Sequence, residues 1–164
     1  MSDAPRSPLY AVDTNVFMDW QARYYPTDVF TSLPPRIDTL IAEGRFFAPA
    51  LVGEELGVVG GAGLSGWMTA HGTLWVPTTE LLAAALAIQG RFPGLRDPKA
   101  DFEEADAYVI ALAQARDGVV VTQETSAAEK RNPRRPQFIP DVCRELGLPC
   151  ISLLGLMRRE GWQL

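Results

Sequence analysis

Four carboxylates in this chain stand where side chains do chemistry. Asp13 closes the apolar run LYAVD, and Glu124 lies two residues beyond the β-branched run GVVVT. In a parallel sheet, acids at the carboxyl ends of strands face the crevice where ligands bind. Two more acids fall on helical faces that read as buried. In ALVGEELGVV, at about 100° per residue, Leu51, Val52, Val58 and Val59 form an apolar stripe that includes Glu55 and leaves Glu54 off its edge. In DFEEADAYVIALAQAR, the stripe of Phe102, Val109, Ile110 and Ala113 includes Asp106, with Glu104 facing away. Carboxylates on buried faces are rare unless they are paired. Four of them at one sheet edge repel one another unless they are protonated or neutralised by a cation. Hard oxygen donors select Mg²⁺ or Mn²⁺ over zinc, and such an ion activates water for phosphodiester cleavage without any histidine. The single histidine, His71, reads as a surface or capping residue.

Other motifs compete for the same role. An aspartate after a first strand also begins a haloacid-dehalogenase phosphatase, but the second aspartate needed two residues on for acid catalysis is here Asn15. The segment GAGLSG (61–66) matches a dinucleotide-binding glycine pattern, yet no adequate strand precedes it, so it reads as a glycine-rich loop. The stretch EKRNPRR (129–135) sets Lys130, Arg131, Arg134 and Arg135 against Glu129, a local charge of +3 in a chain of net charge −5. These four are the candidates for phosphate contacts, which position a nucleic acid without reading its sequence. Tyr24 and Tyr25 read as packed aromatics rather than base-stacking platforms.

The elements that must hold these residues alternate along the chain. LYAVD, RFFAP, LWVP, GVVVT and PCISL read as short buried strands. Helices are expected after Asp13, from about Pro35 to Gly44, and over ALVGEELGVV, WMTAHG, TTELLAAALAIQGRF, DFEEADAYVIALAQAR, IPDVCRELG and LGLMRREG. Asp101, with Glu104 three residues on, reads as a capping box for the sixth of these. Unalternating strands between amphipathic helices give an α/β protein, a three-layer α/β/α fold with a central, mostly parallel sheet. A chain of 164 residues with 47% hydrophobic and 21% charged residues reads as one globular domain, with a flexible tail over residues 1–8. No apolar run approaches the roughly 18 residues of a membrane span. Cys143 and Cys150 read as free thiols in a reducing compartment, and the protein is expected in the cytoplasm.

Four pieces of the sequence, VDTNVF, ALVGEEL, EADAYVIALA and VVVTQE, occur in the order in which PIN domains carry their acids. Over residues 11–124 the chain therefore resembles this family of metal-dependent nucleases. RYYPTDVF, IPDVC and LGLPCISL extend the likeness to a less characterised bacterial PIN-like subfamily. The resemblance implies a single PIN-like domain over 1–164. It implies a Mg²⁺- or Mn²⁺-dependent endoribonuclease with Asp13, Glu55, Asp106 and Glu124 as catalytic, metal-binding acids, and Asn15 and Thr122 ordering the site. Glu124 stands where many members have aspartate. The partners implied are RNA, an antitoxin protein if the chain is a toxin, and a second copy of itself, with no membrane. The competing expectation is a catalytically inactive PIN-like module that binds RNA or a protein.

Overall fold

The computed structural model describes residues 7–164. Most of the tail expected over residues 1–8 lies outside the described residues, and Pro8 is already anchored, its carbonyl accepting from Arg45 Nε at 3.0 Å. The short apolar runs form β1 (Tyr10–Val12), β2 (Phe46–Pro49), β3 (Trp75–Val76), β4 (Val119–Val121) and β5 (Cys150–Ile151). They make one all-parallel sheet in the order β3-β2-β1-β4-β5, with Tyr10 opposite both Phe46 and Val119. The described helices are α1 (Thr14–Met18), α2 (Leu33–Ala42), α3 (Ala50–Val59), α4 (Ala62–Ala70), α5 (Thr78–Arg91), α6 (Asp106–Arg116), α7 (Ile139–Leu146) and α8 (Leu153–Arg159). They cover the sheet in the expected three-layer α/β/α arrangement. None of them is long and apolar enough to cross a membrane.

The strand order places the chemistry. From β1 the chain winds outward to β2 and β3, then returns through α5 and α6 to β4, on the other side of β1. The winding direction reverses between β1 and β4, so the carboxyl ends of these two strands flank a crevice. Both strands are buried throughout. α6 crosses behind them with Ala107 to Ala113 all buried, which fixes its first residue, Asp106, at the mouth of the crevice. At the opposite, amino ends of the two strands Gly118 admits a close approach, because a Cβ would meet the Leu9 carbonyl at 2.9 Å.

Three local expectations change. The helix expected from Asp101 begins only at Asp106, and residues 101–105 are irregular. Its Asp101–Glu104 capping box is absent, and the acids of this stretch bond other nearby groups. Glu104 Oε1 accepts from Asp97 N at 2.9 Å, and Glu103 accepts from the Tyr108 hydroxyl at 2.9 Å. Phe102, outside the helix, is 60% exposed. The glycine-rich stretch from Gly60 to Gly66 enters α4 instead of remaining a loop. Packing of Leu64, Trp67 and Met68 against the core outweighs the cost of glycine in a helix. Helix α3, not a strand, precedes it, which removes the dinucleotide-binding reading. On α3 the core face is Leu51, Val52 and Leu56, while Val58 and Val59 in the last turn are exposed.

Candidate acidic site

Asp13 follows β1 directly and caps α1. Its Oδ1 accepts from Thr14 N at 2.8 Å, and its Oδ2 accepts from the Thr122 hydroxyl at 2.8 Å. Thr122, just past β4, also accepts from Glu124 N at 3.1 Å and faces Asn15 Nδ2 at 3.5 Å. Asn15 in turn accepts from Gln123 N at 3.0 Å. The two polar residues expected to order the site thus tie the end of β1 to the end of β4. The apolar strand therefore ends on polar residues that find partners: Asp13 and Asn15 bond across the crevice, and Thr14 bonds Glu55 on α3, which offsets the cost of removing them from water.

The remaining acids join from the helices. Glu55 on α3 accepts from the Thr14 hydroxyl through Oε2 and from Ala105 N through Oε1, the latter at 3.0 Å. Asp106, in the first turn of α6, meets Arg135 Nη1 at 2.8 Å. Glu124 accepts from Arg135 Nη2 at 2.9 Å and from Ile139 N, at the start of α7, at 3.1 Å. All four acids expected at one sheet edge are there. A fifth, Glu104, approaches Arg135 at 3.5 Å, contrary to the expectation that it faces away.

Electrostatics mark the cluster as overcharged. Burial and then the charge of Glu124 push the Asp13 carboxyl up to about 7, against the opposing bonds from Thr122 and Thr14. Burial, then Glu124 and Asp13, raise Asp106 well above the ordinary carboxylate range, although Arg135 pulls the other way. Glu104 is raised as well, first by burial. Fully ionised, five carboxylates against the single guanidinium paired with them leave a formal charge of −4. A set made entirely of oxygen donors with unbalanced negative charge suits a hard divalent cation. As placed, no three acidic, histidine or cysteine side chains among the described residues form a group that could hold a metal ion. The guanidinium bridging Asp106 and Glu124 stands between the acids.

The basic segment divides. Arg131 and Arg134 are exposed, as a phosphate-binding patch requires. Lys130 donates to Thr125 Oγ1 at 3.0 Å and lies 4.3 Å from the Phe138 ring centre. Arg135 departs from the expectation: its side chain is only 10% exposed and engages acids rather than solvent. Tyr24 is 66% exposed, whereas Tyr25 packs edge-on against Phe30. His71 caps α4, stacks on Trp67 and bonds Asp38, as a structural histidine does. Beside the acids opens a groove lined by Thr14, Leu51, Glu55, Val58, Phe102 and Glu104.

Sequence reasoning missed Thr14, Glu104 and the buried role of Arg135. Thr14 was legible as part of the same polar triplet as Asp13. Neither Glu104 nor Arg135 carried a local signal, because both meet the site through irregular segments. The profile of the family described as "Domain of unknown function (DUF4411)" matches residues 10–164. No curated protein matches the chain.

Proposed function

As the chain belongs to the DUF4411 family, whose description assigns no chemistry, we propose from the acidic site that it is a Mg²⁺- or Mn²⁺-dependent endoribonuclease of PIN-like type. The observation that carries this reading is the gathering of Asp13, Glu55, Glu104, Asp106 and Glu124 at the β1/β4 switch point with one cation among them. Asp13, Glu55 and Asp106 would hold the principal ion, with Glu124 serving a second ion or orienting water. When bound, a divalent ion lowers the pKa of water and offsets charge developing on the phosphoryl group. With its carboxyl raised to about 7 by burial and Glu124, Asp13 would have to be ionised to hold an ion, so protons and the ion would compete for it. Thr122 and Asn15 brace the two strand ends, so the acids keep their places during the reaction. Arg131, Arg134 and Lys130 would contact phosphates, and the groove beside Phe102 offers room for the chain of the RNA. The free thiols of Cys143 and Cys150 accord with the cytoplasm. The antitoxin partner and the homodimer rest on the resemblance to PIN domains alone.

Arg135 favours a second reading. An acidic site partly neutralised by its own chain suits a catalytically inactive PIN-like module that binds RNA or a protein. Calorimetric Mn²⁺ titration of chelator-stripped protein, with cleavage of a fluorophore–quencher RNA, separates the two. The nuclease reading expects Mn²⁺ binding and Mn²⁺-dependent cleavage in the wild type. In Asp106→Asn it expects at least tenfold weaker binding and no cleavage, with the fold intact. A wild type that retains RNA without cutting it establishes the module instead, and equal activity in Asp106→Asn removes that residue from the site.

A further inference from the structure

We infer that Arg135 is a built-in counter-cation of the acidic site, which a divalent ion must displace before the acids can close around it. The inference rests on the metal-site reading above and deepens it, by naming what holds the site at rest.

The guanidinium is placed as an occupant. Nη1 bonds Asp106 Oδ2 at 2.8 Å and Nη2 bonds Glu124 Oε1 at 2.9 Å, so one planar cation spans two acids from different elements. Nη1 also reaches the Leu95 carbonyl and lies 3.5 Å from Glu104. The guanidinium carbon lies 4.6 Å from the Phe138 ring centre. Bidentate bridging of this kind is what a guanidinium does well and an ammonium does poorly. Mg²⁺ and Mn²⁺ require oxygen donors at close range, about 2.0–2.1 Å for Mg²⁺, and the bridge keeps Asp106 and Glu124 from converging to that extent.

Residues 130–138 contain no regular secondary structure. The segment is held to the turn at 93–95 by a backbone bond from Gln137 N to the Gly94 carbonyl at 3.3 Å and by Pro136 against Gly94. A Cβ on Gly94 would meet Pro136 Cγ at 2.6 Å, so an alanine there obliges Pro136, the residue after Arg135, or the turn beneath it to shift. Gly94 touches none of the acids, which makes it a remote handle on Arg135. The exposed Arg131 and Arg134 on the same segment would move with Arg135, which links opening of the site to the surface that meets phosphates.

The test is Mn²⁺ titration by calorimetry at pH 8, paired with metal-free and Mn²⁺-loaded melting, on wild type, Arg135→Gln, Gly94→Ala and Arg96→Gln. Arg96 is exposed at the same rim and controls for the mere loss of a nearby positive charge. The inference expects Arg135→Gln to bind Mn²⁺ at least tenfold more tightly than wild type, Gly94→Ala to bind severalfold more tightly, and Arg96→Gln to stay within twofold. It also expects Arg135→Gln to melt lower than wild type without metal and to recover when Mn²⁺ is added. Binding by Arg135→Gln alone, with none by wild type, supports it equally. If wild type binds Mn²⁺ and Arg135→Gln binds no more tightly, the inference is overturned while the metal site stands. If no variant binds Mn²⁺, both fall together. Should Arg135→Gln not fold without metal, Gly94→Ala decides: no gain in affinity there overturns the inference.

Discussion

Replacing Asp13 with asparagine tests whether the acidic site is overcharged. Its carboxyl is pushed from an ordinary value of 3.8 up to about 7, chiefly by burial and then by Glu124. A carboxyl raised on folding binds its proton more tightly in the folded state, so metal-free stability declines as pH rises. The decline begins near pH 3.8, where the unfolded chain ionises, and is complete near pH 7, where the folded one does. At about 1.4 kcal/mol per pH unit, the full penalty is about 4 kcal/mol. Asparagine keeps an acceptor for Thr14 N but disturbs the bond from Thr122, a loss of about 1 kcal/mol. Asp13→Asn should therefore be more stable than wild type by about 3 kcal/mol at pH 8, or about 6–12 °C in melting temperature. The assay is thermal unfolding in excess chelator at pH 6, 7 and 8, by circular dichroism. Added Mn²⁺ should shrink or reverse the difference, since only the wild type binds the ion with a full set of acids. A metal-free Asp13→Asn that melts below wild type at pH 8 would refute the reasoning. The charge of Asp13 would then stabilise the start of α1 as a cap, and the repulsion inferred from the cluster would not govern this site.

The same shift predicts that Mn²⁺ affinity falls about tenfold for each pH unit below about 7, as protons compete for Asp13; calorimetry at pH 5.5, 6.5 and 7.5 checks this, and a flat profile refutes it. Leu56→Ala, which empties a fully buried position on α3, should cost about 2–5 kcal/mol, whereas Val58→Ala, at 86% exposure, should stay within about 0.5 kcal/mol. Urea unfolding measures both, and equal costs would show that the core face of α3 has been misassigned.

Much of the fold was legible because its signals are local. Unalternating apolar runs such as LYAVD and GVVVT mark strands buried on both faces, and β1, β4 and the other three strands formed where those runs lie. The phase of Glu55 and Asp106 put two acids on inward faces, although part of the supporting stripe did not hold. Val58, Val59 and Phe102 are exposed, and Leu56 carries the core face instead. Both acids reached the site because each lies beside residues that are buried, not because the whole stripe is.

What the sequence determined by itself was a parallel α/β sheet and four acids at the ends of its elements, since burial period and strand-end position are written within a few residues of chain. Only the tertiary structure decided what stands among those acids. Arg135 is eleven residues from Glu124 and twenty-nine from Asp106, and it reaches both through an irregular segment seated on Gly94. In the sequence it is indistinguishable from its neighbours Arg131 and Arg134, because all three share one charge and one basic run. Which of them enters the site is set by the docking of that segment against a distant turn, and no local pattern encodes that contact.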